Sequence, residues 1–429
     1  MATLLTQIRG KLTEQALAGA PMFDYYLNDP STPNLIVKMG IWALPAIHPS
    51  FRILNWNGII GVLGSYEAQC CQIHNTIAIA LECVQKSSDR PVDHWAAARE
   101  LTVYPHAGVD FNAYYDRSSL KFFYAVDPNT RKTVYTCESS DIVAHELGHA
   151  LLDSVRPDLW SVGSLEVFAF HESFGDIIAL LKALQHEELL QYMINQTGGN
   201  LEISNVVSGL AEELGTAIYR HTDPLRNALN QFIYSPPESL PDTRNPNELG
   251  REPHSFSRVF TGACYDILTA IYNAERLGAP APVALRTARD VLARLILNAL
   301  PISALSPRFY SSVAQGMLSV DRMKHGGIYT SIIGGIFSKR NIYHAPIPMP
   351  LRLSAPSRQV QKTKLEDIIV HIAEPLHNLG AAQNNSALNS AIMALKFLHE
   401  HDKIGNDNIF SVVDGELVRN RICGYEPSN

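Results

Sequence analysis

The sequence has few cysteines and no arrangement of them that predicts a disulfide framework. Its six cysteines are spread over 429 residues without a Cys-x-x-Cys pair, so we expect reduced thiols, as in cytosolic proteins. Residues 1–11 lack a basic segment followed by an apolar core, and no Sec signal peptide is predicted. Charged residues and prolines interrupt the apolar stretch 35–63, which predicts no membrane span. We therefore expect a cytoplasmic location, with export by a non-Sec route left open.

The chain also lacks the features of nucleotide-binding and nucleic-acid-binding proteins. The Gly-rich segment 58–64 has no Lys-Ser/Thr pair, so it predicts a strand and a turn instead of a phosphate loop. The formal net charge of -7 argues against nucleic acid as a partner. A hydrophobic fraction of 46% and a charged fraction of 18% are enough to bury a large core, which we expect to be divided into two or three domains.

The segment 141–150 holds two histidines one helical turn apart, with a glutamate between them. Residues at positions i and i+4 share one face of a helix, so His145 and His149 can bind the same metal ion. Glu146 lies one step round the helix and can reach a water without binding the metal itself. The apolar neighbours of this trio predict a buried helix. This is the HExxH pattern of zinc hydrolases, although a chance match is the alternative interpretation.

A second predicted helix follows at a suitable distance. A catalytic zinc ion needs three protein ligands and one open position, so two histidines are an incomplete site. Glu172 and Asp176 are again i and i+4, within an apolar segment that leaves little exposed surface. One carboxylate can bind the metal while the other accepts the second N–H of a ligand histidine and fixes its tautomer. The sequence therefore predicts a zinc site.

These two segments resemble the thermolysin-like zinc metallopeptidases of the gluzincin group. The resemblance rests on His-Glu-Leu-Gly-His at 145–149 and Glu-Ser-Phe-Gly-Asp at 172–176. It implies that His145, His149 and Glu172 are the zinc ligands. It further implies that Glu146 is the general base and that Asp176 is the partner of His145.

Three further segments occur in the order that the family has, so that the resemblance covers roughly residues 97–335. Asn112 and Ala113 match an edge strand that binds the substrate backbone. Arg220 matches an arginine behind the pocket for the residue that follows the scissile bond. His254 matches the histidine that stabilises the oxyanion, and it would be a second catalytic residue.

The chain departs from the family at several positions. No Tyr stands between residues 149 and 172, where the family has one beside the oxyanion. The acid that orients His254 has two candidates, Glu248 and Glu252. Asp141 resembles one calcium ligand of the family, but the other acids do not line up with that site. We therefore expect one zinc ion per chain and do not predict calcium.

The order of predicted elements indicates an α+β fold. The resemblance implies a two-lobed thermolysin-like metallopeptidase with the zinc helix between a β-rich N-terminal lobe and a mainly α-helical C-terminal lobe. Residues 1–95 are interpreted as an N-terminal region, either a short pro-like segment or an accessory one. Residues 96–160 form the β-rich lobe and zinc helix, and residues 161–343 form the helical lobe. Residues 344–429 are a linker and a small α/β appendage, ending in a hairpin near 410–419, which offers a surface to a protein partner.

Three functions stay open on these observations. A zinc endopeptidase that cuts internal bonds of a peptide or protein explains the general base, the edge strand and the downstream histidine together. A zinc aminopeptidase would need acids that bind a free amine, and no Gly-x-Met-Glu-Asn segment is present. A catalytically silent scaffold with structural zinc agrees with the missing Tyr. Against this scaffold, Glu146 has no role in metal binding and is best explained by hydrolysis.

Overall fold

A computed structural model describes residues 22–32, 35–41, 49–219, 224–242, 245 and 248–342, together with the backbone of strands 409–413 and 416–420. Over these residues the fold is mixed α/β, with small sheets and nine α-helices. This confirms the coarse prediction of a fold that contains both helices and strands. None of the helices in the described part of the chain is long and apolar enough to cross a membrane.

The strands form small sheets, of which one has four strands. Their bounds are β1 Phe23–Tyr26, β2 Ile36–Met39, β3 Phe51–Ile53, β4 Leu101–Tyr104, β5 Ala113–Tyr115, β6 Ser119–Phe122, β7 Tyr124–Val126, β8 Thr133–Tyr135, β9 Gly209–Leu210, β10 Arg226–Asn227, β11 Ile409–Val413 and β12 Glu416–Asn420. The four-stranded sheet has the order β3-β4-β6-β5, in which β5 is antiparallel to β6 and lies at the edge. The other strands pair as two-stranded antiparallel ribbons, β1-β2, β7-β8, β9-β10 and β11-β12.

The segment 120–126, whose apolar and aromatic residues predict one strand, is divided in two in the structure. The break falls at Phe123, whose backbone N–H donates to the backbone oxygen of Asn112 at 3.2 Å and to Thr136 Oγ1 at 2.9 Å. The chain thereby leaves the four-stranded sheet after β6 and pairs with β8 as β7. The same contacts anchor the start of the edge strand β5.

The helices build most of the core. Their bounds are α1 Tyr66–Ser87, α2 Ser140–Val155, α3 Leu165–Ala183, α4 Glu187–Thr197, α5 Glu212–Tyr219, α6 Pro253–Glu275, α7 Ala281–Ala299, α8 Phe309–His325 and α9 Thr330–Lys339. Helix α2 carries the HExxH motif and begins after Ser139, whose hydroxyl accepts from the N–H of Ile142 at 3.5 Å. Every residue from 140 to 153 is buried. Helix α2 therefore lies inside the molecule, against α3 and the edge strand β5.

The segment 22–32 packs over the beginning of α2. Tyr25 and Leu27 are almost completely buried and belong to the same apolar core as the zinc helix. The backbone oxygen of Asn28 accepts from the N–H of Ser140 at 2.8 Å. The ammonium of Lys182, at the end of α3, donates to the backbone oxygen of Leu27 at 3.1 Å. Part of the predicted N-terminal region is thus joined to both helices of the candidate site.

The predicted C-terminal hairpin corresponds to β11 and β12. Their antiparallel pairing sets Val413 opposite Glu416, which leaves two residues between the strands. Those two residues, and the helices predicted within the rest of 344–429, lie outside the described residues.

Candidate metal centre

Helix α2 brings the three polar residues of the HExxH motif together in a buried position. His145 Nε2 lies 3.2 Å from His149 Nε2. One donor atom each from His145, Glu146 and His149 lie within 4.8 Å of one another, so that this buried group could hold a metal ion. Within the described ranges it is the one group of His, Cys, Asp and Glu residues that meets this condition. Glu146 also lines the cleft beside the site.

Helix α3 adds two carboxylates from the opposite side. Glu172 Oε2 lies 3.4 Å from His145 Nε2, and Glu172 Oε1 lies 3.7 Å from His149 Nε2. One turn further along α3, Asp176 Oδ1 accepts from His145 Nδ1 at 3.0 Å. A proton held at Nδ1 leaves the lone pair of His145 on Nε2, where it faces His149 and Glu172.

The ionisation of these groups follows from burial and from their neighbours. Burial raises the pKa of Glu172, but the imidazoles of His254, His149 and His145 hold it well below its usual range. Burial likewise raises the pKa of Asp176, and here Arg226 and His145 lower it overall. Burial lowers the pKa of His149 well below its ordinary value. Burial lowers the pKa of His145 too, but the carboxylates of Asp176 and Glu172 raise it overall to about 9. The carboxylate of Glu172 and the imidazoles of His145 and His149 thus lie together in a cluster whose negative charge a cation would stabilise.

His254 lies in the first turn of α6 and reaches the same point. Its Nε2 is 3.3 Å from Glu172 Oε2. Its Nδ1 forms a short hydrogen bond with Glu252 Oε1. Glu252 also caps α6, since its two carboxylate oxygens accept from the N–H groups of His254 at 2.9 Å and Ser255 at 2.8 Å. Of the two acids predicted to orient His254, Glu252 is in contact with it, whereas Glu248 contacts Asn245.

The predicted substrate strand lies at the mouth of the site. Ala113 begins the edge strand β5, and Asn112 precedes it with a side chain that donates to Asp110 at 3.4 Å. Both residues line a cleft that Leu214, Arg226 and His254 also line. Residues from β5, from α2 and from later parts of the chain thus contribute to the same cleft.

Arg226, which the sequence did not indicate, contacts the site directly. Arg226 Nε donates to Asp176 Oδ1 at 3.0 Å, and its Nη2 lies 3.2 Å from His145 Nδ1. Arg220 was predicted to lie behind the substrate pocket, but it falls outside the described residues. No local signal distinguishes the two arginines, because Arg226 reaches the cleft only through the pairing of β10 with β9.

A group of buried acids lies next to the metal centre without joining it. Asp141 stands one turn before His145 on α2 and lines the cleft. Burial and the carboxylate of Asp29 raise its pKa to about 8. The ammonium of Lys182 is fully buried nearby, and burial lowers its pKa to about 7. Burial thus disfavours the charged forms of both Asp141 and Lys182.

Comparison with models of known protein families finds no match, and comparison with curated protein sequences finds none either. The site is therefore interpreted from its own geometry. Two imidazoles and the carboxylates of Glu146 and Glu172 form a buried cluster, and Glu146 and the cationic group of Arg226 also line the adjoining cleft. Such an arrangement can bind a metal ion and move a proton at a substrate bound in the cleft.

Proposed function

We propose that this chain is a zinc-dependent endopeptidase of thermolysin-like, two-lobed architecture that hydrolyses internal bonds of an extended peptide or protein. The zinc ligands are His145, His149 and Glu172, and the general base is Glu146. The part of the chain before the zinc helix supplies one wall of the cleft, and the helical part after it supplies the other.

The convergence of donor groups from three residues carries this proposal, with each oxygen of Glu172 facing one of the two histidines. Donors placed tetrahedrally at zinc bond lengths of about 2.0–2.2 Å lie about 3.3–3.6 Å from one another. Here His145 Nε2 is 3.2 Å from His149 Nε2 and 3.4 Å from Glu172 Oε2. The other oxygen of the same carboxylate, Glu172 Oε1, lies 3.7 Å from His149 Nε2, slightly beyond that range. Two imidazoles and one carboxylate are a donor set that catalytic zinc uses, so the residues fit this ion.

Glu146 supplies the proton transfer that hydrolysis needs. When bound, zinc lowers the pKa of a water and polarises the scissile carbonyl. Glu146 accepts the proton of the attacking water and gives it to the leaving amine. Asp176 holds the His145 ring through Nδ1, and Arg226 in turn holds Asp176. This chain of contacts keeps the ligand ring oriented during the reaction.

His254 stabilises the negative charge that develops on the carbonyl oxygen during hydrolysis. Burial lowers the pKa of His254, but the carboxylates of Glu172 and Glu252 raise it above its usual value. A protonated His254 can donate from Nε2 while Nδ1 stays bound to Glu252. This donor compensates in part for the absent Tyr.

The edge strand β5 supports an extended substrate. β5 pairs with β6 on one side, and in the described part of the chain no strand pairs with its other side. A peptide can add there as a further strand, beside Asn112 and Ala113, which line the same cleft as His145 and Glu146. An internal segment of a polypeptide fits such a strand addition, because the pairing uses backbone groups and needs no chain terminus.

The test compares cleavage and zinc content in the full chain. We expect the wild type to bind one zinc ion and to cleave unstructured casein, with cleavage stopped by a chelator. Glu146→Gln should keep one zinc and lose about 10²–10⁴-fold in activity, because the general base is absent. The matched control, Glu188→Gln, changes an exposed glutamate on α4 and should behave as wild type. Equal activity in wild type and Glu146→Gln would refute the assignment of the base.

The catalytically silent scaffold is the second candidate, because one observation favours it. No Tyr stands between residues 149 and 172 to assist His254 in stabilising the oxyanion. A zinc aminopeptidase has no comparable support. Zinc binding without cleavage by the full chain would favour the scaffold.

A further inference from the structure

A group of buried oxygen atoms next to the metal centre lacks hydrogen-bond partners in the described part of the chain. The group comprises both carboxylate oxygens of Asp141, together with Asp29 Oδ2, Glu212 Oε2 and Asn28 Oδ1. Asp29 and Asp141 are only 1% and 2% exposed, so bulk water does not replace the missing partners. Unpartnered acceptors in a protein interior cost free energy, and so many in one place need a physical explanation.

Backbone hydrogen bonds bring the three acids of this group together. The N–H of Glu213 donates to Asp29 Oδ1 at 2.9 Å, which joins the start of α5 to the segment 22–32. The backbone oxygen just before Asp29 accepts from the first N–H of α2 at 2.8 Å, next to Asp141. Burial and the carboxylates of Asp29 and Asp141 together raise the pKa of Glu212 to about 9. The three acids therefore meet where α2, α5 and the segment 22–32 are in contact.

Of these acids, Asp29 alone has the donors that a buried charge requires. Its Oδ1 accepts from two backbone N–H groups, at 2.9 and 3.0 Å. Burial and Asp29 raise the pKa of Asp141, and the charge of Lys182 offsets this only in part. The ammonium of Lys182 donates to a backbone oxygen instead of to either oxygen of Asp141. Asp141 and Glu212 are thus buried without the partners that would stabilise their charged forms.

The acids are also not placed as ligands of a second metal ion. Over the described ranges, the metal centre is the one group of His, Cys, Asp and Glu side chains whose donor atoms lie within 4.8 Å of one another. Protons on Asp141 and Glu212 are the remaining way to remove the buried negative charge. A protonated carboxyl group can also donate to a neighbouring carboxylate, which gives the unpartnered oxygens a partner.

The start of α5 forms part of the cleft beside the metal centre. Asp141, Ala211 and Leu214 line this cleft. Ala211 has a φ of 54°, in the left-handed region that costs free energy for a residue with a Cβ. Contacts with neighbouring elements must hold the backbone in this conformation. A change in the contact between α5 and α2 therefore acts on the lining of the cleft.

We propose that protons on Asp141 and Glu212 hold α5 against α2, and that the cleft lining at Ala211 and Leu214 loosens as these protons are released. The inference rests on the proposed function in so far as this cleft is the substrate site. Once charged, the two acids repel each other and the carboxylate of Asp29. The other titratable groups that face the two acids are Tyr25, Asp29, Asp176 and Lys182.

The direction of the pH effect follows from the state that holds the protons more tightly. In the closed arrangement the pKa is raised from 3.8 to about 8 for Asp141 and from 4.5 to about 9 for Glu212, by burial and neighbouring carboxylates. The contact is therefore complete below about pH 4 and weakens as the pH rises toward 8. Burial lowers the pKa of Lys182 to about 7, so its ammonium keeps its proton between pH 5 and 6.5.

Hydrogen exchange of the full chain at pH 5 and 6.5 tests this, with each rate corrected for the intrinsic pH dependence of amide exchange. In the wild type, the protection of the α5 amides should fall at least about tenfold, because opening changes about tenfold per pH unit for each proton released. The double variant Asp141→Asn/Glu212→Gln should show no such fall. Glu188→Gln, at an exposed glutamate, should follow the wild type. The amides of α7 are the internal reference and should keep their protection in all three proteins.

The possible results separate this inference from the proposed function. Unchanged protection of α5 in the wild type overturns the inference by itself, whether or not the double variant folds. The same fall in the double variant as in the wild type also overturns it, because the released protons would then belong to other groups. Hydrogen exchange does not require peptidase activity. A chain that cleaves no peptide therefore refutes the proposed function without deciding the role of the two acids.

Discussion

At the scale of single residues, Asp176 connects His145 of the candidate metal centre with two neighbouring residues. Its Oδ1 accepts from His145 Nδ1 and from Arg226, and its Oδ2 accepts from Thr261 Oγ1 at 3.3 Å. The carboxylate therefore fixes the tautomer and the orientation of a ligand that the motif alone leaves free to rotate.

Asp176→Asn should weaken zinc binding without removing a ligand. The neutral amide can still contact His145, but it no longer stabilises the ring that donates to it, and Arg226 loses its charged partner. We expect the zinc dissociation constant to rise about 10–100-fold, measured by competition with a chelator of known affinity. Asp93→Asn, at an exposed site, is the control. Unchanged affinity in Asp176→Asn would show that the orientation of His145 is set elsewhere.

Glu166 is a buried acid whose ionisation should make stability depend on pH. It accepts from the N–H of Tyr310 at 2.7 Å and from the hydroxyl of Tyr234 at 3.0 Å. Burial nevertheless raises its pKa to about 7, from a usual value of 4.5. Because the folded protein holds this proton more tightly than the unfolded chain does, the stabilisation is complete below about pH 4.5 and is lost as the pH rises to 7.

The variant Glu166→Gln removes this dependence. The free energy of unfolding of the wild type, taken relative to the variant, should decrease by up to about 3 kcal/mol between pH 4.5 and 7, since one pKa unit corresponds to about 1.4 kcal/mol. Urea unfolding of both proteins at pH 5 and 7.5 measures the difference. Parallel changes in the two proteins would mean that Glu166 has an ordinary pKa.

At the scale of elements, the metal centre depends on how closely α2 and α3 approach. Gly148 on α2 faces Gly175 on α3, and a Cβ added at Gly148 would lie 2.7 Å from the Cα of Gly175. A Cβ added at Gly175 would lie 2.6 Å from His145 Nδ1. Both distances are shorter than any ordinary contact, so any larger residue would force the helices apart or displace the ligand ring.

Alanine at these two positions should therefore have different effects. Gly148→Ala should separate the helices and cost about 1–3 kcal/mol of unfolding free energy. Gly175→Ala should in addition move His145 and weaken zinc binding more than Gly148→Ala does. Gly335→Ala on α9 is the matched control, because no heavy atom lies within 4 Å of the added Cβ. Urea unfolding and zinc competition measure the two effects, and equal zinc affinity in all three variants would contradict this account.

The same helices explain which parts of the site the sequence could predict. His145, His149, Glu172 and Asp176 form two i, i+4 pairs, and helical geometry places each pair on one face before any tertiary contact is known. The mixed α/β character likewise follows from local patterns, because strand and helix periodicities differ. Both predictions depend on residues that are close in the sequence.

Other parts of the site depend on contacts between residues that are far apart in the sequence, so local sequence patterns could not predict them. Arg226 reaches Asp176 through the pairing of β10 with β9, which has two residues in each strand and little local signal. The sequence offers Glu248 and Glu252 equally as the acid that orients His254, because both precede it in a polar segment. Only the cap at the start of α6 distinguishes them. The inward position of His254 depends on this cap as well.

At the scale of the whole molecule, the segment 22–32 belongs to the folded unit that carries the metal centre. It supplies the acceptor for the first N–H of α2 through Asn28 and the acceptor for Lys182 through Leu27. Asp29 Oδ1 also accepts from the N–H of Glu213 at 2.9 Å, at the start of α5 beside the cleft. Three helices around the site, α2, α3 and α5, thus each donate a hydrogen bond to this short segment. Removal of the segment would leave the donors on Ser140, Lys182 and Glu213 without these acceptors.

This organisation makes the stability of the molecule sensitive to positions far from the zinc helix in the sequence. Leu27 is 1% exposed, and Leu27→Ala should cost about 2–5 kcal/mol through lost burial and the cavity that remains. Met22→Ala, at a side chain that is 41% exposed, should change stability by no more than about 0.5 kcal/mol. Urea unfolding of the full chain measures both. An unchanged free energy of unfolding in Leu27→Ala would mean that the segment is separable from the core, as a removable pro-like region would be, whereas a large loss would mean that the segment is part of the folded core.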